Sequence, residues 1–261
     1  MSDVRDFGAS GDGATDDTDA IRHAVSDGDG HLFFPKGTYR ITDTIELPLG
    51  SRGPRTVLGE SGNTCIQMHG AGPAFRMQGH HEGTGDPGSW TPEVWKSETL
   101  PSIRNLVIEG HHPEADGIVL DGVIQPILEG LLVRRVRHGI HLVRRNRNVI
   151  VSHCHVYHNT GAGIFLDGVN LHQINISACH ISYNRLGGIR IERSEIRNLQ
   201  ITGNDIEYNN ARSHPGLADE PTAEIYVDTT ALGATVNEVT IASNTIQATN
   251  SPEGANIRIK E

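Results

Sequence analysis

Gly117-Ile118-Val119-Leu120-Asp121, Gly139-Ile140-His141-Leu142-Val143, Gly163-Ile164-Phe165-Leu166-Asp167, Gly188-Ile189-Arg190-Ile191-Glu192, Glu224-Ile225-Tyr226-Val227-Asp228 and Asn256-Ile257-Arg258-Ile259-Lys260 read as six copies of one strand. Their starts are 22, 24, 25, 36 and 32 residues apart. A short alternating strand returning at this period predicts a solenoid, in which each repeat stacks on the one before it. Positions 2 and 4 of every copy are aliphatic, so they point inward and settle the register. The residues between them point out. One outward column reads Val119, His141, Phe165, Arg190, Tyr226, Arg258, and the next reads Asp121, Val143, Asp167, Glu192, Asp228, Lys260.

Composition agrees with a thin, elongated core. The chain has 261 residues, 36% hydrophobic and only 5% aromatic, with 30 glycines for turns. The formal net charge of −10 argues against nucleic acid as a partner, because that affinity comes mostly from cationic side chains meeting phosphate. Three cysteines, Cys65, Cys154 and Cys179, make no disulfide framework. No stretch approaches a membrane span, and Met1-Ser2-Asp3-Val4-Arg5-Asp6 lacks a secretory profile. As written, the chain is expected to be soluble and not exported, whether cytoplasmic or virion-associated, unless a signal has been trimmed.

The N-terminal segment carries the most specific motif. Asp6-Phe7-Gly8-Ala9, Gly11-Asp12-Gly13 and Thr15-Asp16-Asp17-Thr18 lead into Ala20-Ile21, and Leu32-Phe33-Phe34-Pro35-Lys36-Gly37-Thr38-Tyr39 follows. Asp16 or Thr15 can cap a short helix from Asp17 to about Val25, with Ile21, Ala24 and Val25 as its apolar face. Such a helix covers the raw end of a first rung. These motifs, in this order, closely resemble the start of the pectate-lyase-like superfamily of right-handed parallel β-helix proteins. Polygalacturonases, rhamnogalacturonases and phage tailspikes are among its members. The resemblance implies an all-β, right-handed parallel β-helix of roughly eight to ten coils, in one domain over 1–261, with residues 1–45 as cap and first coil. The motif itself specifies fold rather than chemistry.

Two stretches break the period and read as loop insertions, 79–101 and 211–221. The first holds both tryptophans, Trp90 and Trp95, which are expected to face the outward columns or a neighbouring subunit, with core filling as the plain alternative. Other columns read as ladders. Asn159, Asn184 and Asn209 recur every 25 residues, as do Cys154, Cys179 and Asn204, with Asn244 in weaker alignment. The Asn column is expected to satisfy turn backbone, and the two cysteines to form an interior thiol pair. Among 15 histidines, His153, His155 and His158 crowd one rung, with His180 in the column of His155. A metal site there is conceivable by residue type, and a solvated rim is the plain alternative.

The candidate site lies on the outward face. Asp167, Glu192 and Asp228 fall on successive rungs, ~5 Å apart, provided that no extra coil hides in the 36-residue repeat. Three stacked carboxylates need compensation, by Arg190, by a cation or by a raised pKa. We therefore take Asp167, Glu192, Arg190 and Asp228 as candidate catalytic residues. His141, Phe165, Tyr226, Arg258, Lys260, Trp90 and Trp95 are the candidate substrate-binding residues. Ordinary turn chemistry, as at Asp121-Gly122 and Asp167-Gly168, is the alternative. If the face is functional, paired carboxylates suit a glycosidase. A carboxylate cluster can instead hold Ca²⁺ against a uronate, with Arg190 as base in β-elimination. Binding of sugar without chemistry is the third option.

The family's motifs narrow this further. Polygalacturonase-type hydrolases carry Asn-Thr-Asp, Asp-Asp, Gly-His-Gly and Arg-Ile-Lys in order. Here Arg258-Ile259-Lys260 matches the last and Ala115-Asp116-Gly117-Ile118 only faintly the first, while Asp-Asp and Gly-His-Gly are missing from the region. The resemblance thus implies a carbohydrate-active protein with a different or missing active site. It is read as a polysaccharide lyase or glycoside hydrolase on an acidic or complex glycan, or as a non-catalytic, tailspike-like module. A polysaccharide or oligosaccharide partner and a homotrimer are expected, the latter because the chain closes on a sheet strand, Ile257-Arg258-Ile259-Lys260, with nothing after it to cover the last rung.

Overall fold

The computed structural model describes residues 1–50, 55–210, 223–247 and 254–261. It is a right-handed parallel β-helix, and every strand pairing in it is parallel. One face stacks nine strands, from Asp12–Asp16 through Gly37–Ile41, Thr64–Met68, Val107–Gly110, Leu132–Arg134, His155–Tyr157, His180–Ser182 and Asp205–Glu207 to Thr245–Gln247. Nine strands on one face mean nine rungs among the described residues, within the expected range. The face of the sequence repeats stacks Ile45–Pro48, Gly72–Gln78, Ala115–Asp121, Ile140–Ser152, Ile164–Ser177, Ile189–Glu192, Ala223–Asp228 and Ala255–Lys260. Ile189–Glu192 pairs directly with Ala223–Asp228, so no coil hides in the long repeat. The insertion at 211–221 lies outside the described residues.

Inward alternation holds. Ile118, Leu120, Ile140, Leu142, Ile164, Leu166, Ile189, Ile191 and Ile225 are fully buried, and Val227 nearly so. The last pair differs from expectation. Ile257 and Ile259 are 41% and 64% exposed, because no further rung stacks on them among the described residues.

The N-terminal motif is explained by its hydrogen bonds. Asp12 accepts from the amides of Ala14 and Thr15 and so closes its own turn. The helix runs Thr18–Asp27 with Asp17, rather than the expected Asp16 or Thr15, at its N-cap; Asp16 accepts from the amide and hydroxyl of Thr18 and from the Thr42 hydroxyl of the next coil. Asp17 is buried and accepts from the amides of Ser10 and Gly11. Gly11 has φ +63, and a Cβ on it would meet the Tyr39 ring at 3.0 Å. Ile21, Ala24 and Val25 join the main core, so the helix closes the first rung.

Both ladders form. Asn159 Nδ2 donates to Asn184 Oδ1 at 2.8 Å, and Asn184 Nδ2 to Asn209 Oδ1 at 2.9 Å. In the second ladder Cys179 Sγ reaches Val151 O as Asn204 Nδ2 reaches Ile176 O, so the thiol substitutes for an amide donor. Cys65, Cys154 and Cys179 are all free thiols.

The Asn ladder ends on a carboxylate. Gly139, Gly163 and Gly188 form a column in which a Cβ would meet the ladder amides at 3.2, 2.7 and 2.9 Å. The next residue of that column is Glu224, and its Oε2 accepts from Asn209 N and Nδ2. Glu224 is fully buried and its Oε1 has no hydrogen-bond partner among the described residues. Burial pushes this carboxyl up to about 7. A folded-state value above the unfolded one gives stability that is complete below about pH 4.5 and is lost as pH rises through about 7, up to roughly 3 kcal/mol in all. Urea midpoints should therefore fall between pH 5.5 and 8.5 by more in the wild type than in Glu224→Gln. Parallel pH profiles for the two proteins would remove the buried proton from the account.

Candidate functional site

The outward columns have the register read from the repeats. Val119, His141, Phe165, Arg190, Tyr226 and Arg258 are mutual neighbours across successive strands, as are Asp121, Val143, Asp167, Glu192, Asp228 and Lys260. Two earlier rungs extend the first column with Glu46 and Arg76, which the six repeats did not include. Most of these side chains are half-buried or buried rather than open to solvent. Phe165 and Tyr226 are buried outright, so the column is a packed floor with polar edges.

Arg193 organises the middle of this floor. Its guanidinium bridges Asp167 and Glu192, with NH1 3.1 Å from Glu192 Oε2. Arg190 Nε donates to Glu192 Oε1 at 2.6 Å, and the Arg190 guanidinium lies 4.4 Å from the Tyr226 ring centroid. Tyr226 Oη donates to Asp228 Oδ2 at 3.1 Å, and Lys260 Nζ is 3.2 Å from the same oxygen. A cavity of about 280 Å³ opens among Arg190, Glu192, Arg193, Asp228, Thr230 and Ala231. Asp167, Glu192 and Asp228 are thus each met by a cationic side chain, which resolves the repulsion expected of three stacked carboxylates. His141 and Arg193 hold Asp167 below the usual carboxylate range, against its partial burial. Burial works against the charge on Asp228, but Thr230, Lys260 and Tyr226 outweigh it and hold that carboxyl low as well.

On the N-terminal side, His141 stacks on Phe165 with ring centroids 5.1 Å apart, and His138 lies 4.9 Å from Phe165. His141 Nε2 is buried, 3.4 Å from Asp167 Oδ2, and no protein group completes a well-formed hydrogen bond to it. His138 Nδ1 accepts from the amide of Ala162 at 3.1 Å, which fixes the proton of the neutral ring on Nε2. Burial pushes His138 down to about 4. Behind it, the carboxylate of Asp116 takes both arms of Arg137, at 2.9 and 2.6 Å, and the amide of His138.

The insertion at 79–101 docks on the corner after the floor strands. Arg144 donates to Gly79 O and to Asp121 Oδ1, Arg145 donates to Gly83 O, and His81 Nε2 meets Arg145 O. The loop therefore borders the Asp121–Val143–Asp167 edge. Its two tryptophans part company. Trp90 is buried with Val94 and Ile124 and donates to Thr84 O, so it is the loop's own core and does not line the floor. Trp95 packs against Trp90 and remains 46% exposed. Trp90 thus follows the alternative of core filling, because a loop of this length needs an apolar centre.

Arg193, His138 and Thr230 were not among the candidate site residues read from the sequence, and Asp116 entered only through a faint motif match. Arg193 sits at φ +53, as Arg144 sits at φ +61, at a corner where alternation along the strand stops. Its side chain folds back over the floor, a direction that a period of two does not predict. Among the described residues no three His, Cys, Asp or Glu side chains are grouped to hold a metal ion.

Comparison with known proteins gives a match over nearly the whole chain. Residues 1–258 fit the family model described as rhamnogalacturonase A/epimerase, pectate lyase-like. Shorter matches include a glucan 1,3-beta-glucosidase of Cochliobolus carbonum, 49% identical over 52 residues, and alginate lyase 7 of Azotobacter vinelandii, 50% identical over 52 residues. These cover 19% and 18% of this chain and only 7% and 6% of those proteins. Among solved structures, the ORF18 protein of Geobacillus virus E2 superposes with a TM-score of 0.67 at 20% identity, over 87% of this chain and 46% of that one. That likeness is one of fold.

Proposed function

Since the chain belongs to the rhamnogalacturonase A/epimerase, pectate-lyase-like family of carbohydrate-active β-helix proteins, we propose that its floor from His141 to Lys260 binds an acidic polysaccharide and cleaves it by β-elimination. The observation that carries this reading is the single guanidinium of Arg193 spanning Asp167 and Glu192, with His141 against the far side of Asp167. A uronate carboxylate entering the cavity competes for Arg193 and Arg190. Asp167 lies 3.4 Å from the imidazole Nε2 of His141, and an imidazole is a side chain that serves as general base. The base takes the proton on C5 of the uronate, the C–H electron pair forms the C4–C5 double bond, and the C4–O4 bond breaks. The departing oxygen takes a proton from solvent. Arg190 donates to Glu192, so the role of base passes from Arg190 to His141. Hydrolysis fits less well, because it calls for a carboxyl held protonated, and Asp167 and Asp228 are held ionised. Phe165 and Tyr226 give the floor its apolar packing, Arg258 and Lys260 extend it, and Trp95 stands at its border.

The second reading is a trimeric, tailspike-like module that binds glycan without cleaving it. The closed ion-pair network around Arg193 favours it, since a network satisfied within the protein needs no substrate to complete it. A panel of acidic and neutral polysaccharides separates the readings. Elimination yields one unsaturated uronate, seen by absorbance, for each new reducing end. Reducing ends without that absorbance would establish hydrolysis. Binding with neither signal, and a mass of three chains by light scattering, would establish the second reading.

A further inference from the structure

Two imidazoles stand side by side at the edge of the floor, and the protein sets them in opposite senses. His141 turns Nε2 to Asp167 at 3.4 Å, so the carboxylate draws the ring's proton there and leaves the lone pair on Nδ1. His138 is set the other way. Its Nδ1 accepts from the amide of Ala162, so its proton sits on Nε2, which has no hydrogen-bond partner among the described residues. The ring is half-buried and lies against Gly161, where a Cβ would meet its Cε1 and Nδ1 at 2.6 Å. Ala162 holds the same position on the next rung, and so small a side chain lets the ring reach Phe165, 4.9 Å away. Buried Asp116 holds the backbone beneath by accepting from the His138 amide. The two imidazole centroids are 5.3 Å apart. An acceptor and a donor, each fixed by a protein group, thus meet a ligand from one side.

We propose that His138 is a second catalytic imidazole, a fixed hydrogen-bond donor to the departing oxygen, and that the pair selects uronates whose C5 hydrogen and O4 lie on one side of the sugar ring. This rests on elimination as the reaction of the floor. Arg193 reaches the carboxylate of Asp167 one rung beyond His141, whereas His138 stands on the rung of His141 itself. With C5 at His141 and the uronate carboxylate drawn toward Arg193, O4 on the neighbouring carbon falls to His138. His141 Nδ1 takes the proton from C5, the C–H electron pair forms the C4–C5 double bond, and the C4–O4 pair leaves with O4. The Nε2–H of His138 holds the growing negative charge until a solvent proton arrives. His138 keeps its own proton, because the Ala162 amide occupies Nδ1 and its loss would leave an imidazolate. A sugar lying on the floor meets both groups from the same side, so elimination is syn. In 4-linked mannuronate and glucuronate the C5 hydrogen and O4 share a side. In guluronate and galacturonate they lie on opposite sides.

Release of unsaturated uronate from polymannuronate, hyaluronan, polyguluronate and polygalacturonate tests this, with wild type, His138→Leu and His138→Gln. Polymannuronate and polyguluronate differ only in configuration at C5, so that pair isolates the stereochemistry. Wild type is expected to cleave polymannuronate or hyaluronan at least about tenfold faster than either of the other two. On the better substrate His138→Leu, which keeps bulk without a donor, should lose about a hundredfold in kcat with KM changed little, because the donor acts on charge that develops only in the transition state. His138→Gln, which sets an amide N–H near the position of Nε2, should keep more than about a tenth of wild-type kcat. Equal rates on all four polymers, or faster cleavage of polyguluronate or polygalacturonate, would overturn the proposal and leave elimination standing. So would equal losses in His138→Leu and His138→Gln, or a loss confined to KM. Unsaturated product from none of the four would remove the reading of the floor and this proposal with it. The polymer comparison needs only wild type, so it decides even if His138→Leu does not fold.

Discussion

His141→Asn is expected to lower turnover on an acidic glycan about a thousandfold, with KM changed little. A positioned general base contributes roughly 10²- to 10⁴-fold, and the imidazole is the group assigned that step. Asn keeps a polar amide near Phe165, though a smaller one, and cannot accept and release a proton. Arg193→Ala is expected to behave differently. It removes the cation that a uronate would recruit, so KM should rise as well as turnover fall. Arg193 is half-exposed and His141 is part of a rim stack, so both variants should unfold within about 1 kcal/mol of wild type. Kinetics on the substrate found in the panel, set beside urea unfolding, check this. If His141→Asn retains more than a tenth of the turnover, His141 is not the base.

The largest stability effect is expected at Asn184. This side chain is fully buried. Its Oδ1 accepts from Asn159 N at 3.3 Å and Asn159 Nδ2 at 2.8 Å, and its Nδ2 donates to Val156 O at 3.0 Å and Asn209 Oδ1 at 2.9 Å. Asn184→Ala strands the Asn159 donors and the Val156 carbonyl on the preceding rung, and leaves Asn209 Oδ1 on the following one with the Asn184 amide alone, with no solvent to replace what is lost. An unmet buried group costs about 1–3 kcal/mol, and partial relaxation keeps the total near 3–5 kcal/mol. Tyr183→Ala, one residue away but exposed, is expected to cost under about 1 kcal/mol. Equal urea midpoints for the two variants would show that the ladder is ornamental to stability.

The parts of this molecule visible in its sequence are those governed by repetition. Ile118 to Ile259 alternate strictly, and stacking copies that alternation from rung to rung, so both outward columns could be aligned before any coordinates. The N-terminal motif was legible because its aspartates each answer a local backbone need. What escaped reading lies at corners. Arg193 sits in a left-handed backbone conformation, where a side chain leaves the pleat, and its pairing with Asp167 spans a whole rung. Glu224 carried no signal of its own beyond opening one strand copy where four others have glycine, and its carboxylate reaches the ladder. His138 escaped because its chemistry comes from the Ala162 amide and from burial, neither of which residue type announces. Trp90 misled because aromatic size signals a partner and a local core equally.

The direct pairing of Ile189–Glu192 with Ala223–Asp228 across the longest repeat has a further consequence. Two strands thirty-odd residues apart meet as closely as strands joined by a short corner, so the excess chain leaves no trace in the columns. Border loops and floor are therefore separable units of inheritance. Descendants can lengthen, shorten or exchange a border and acquire a new ligand preference without paying in register, while the floor beneath drifts one column at a time. In a lineage built this way, specificity should diversify faster than architecture, and a loop transplanted between distant cousins should find its footing.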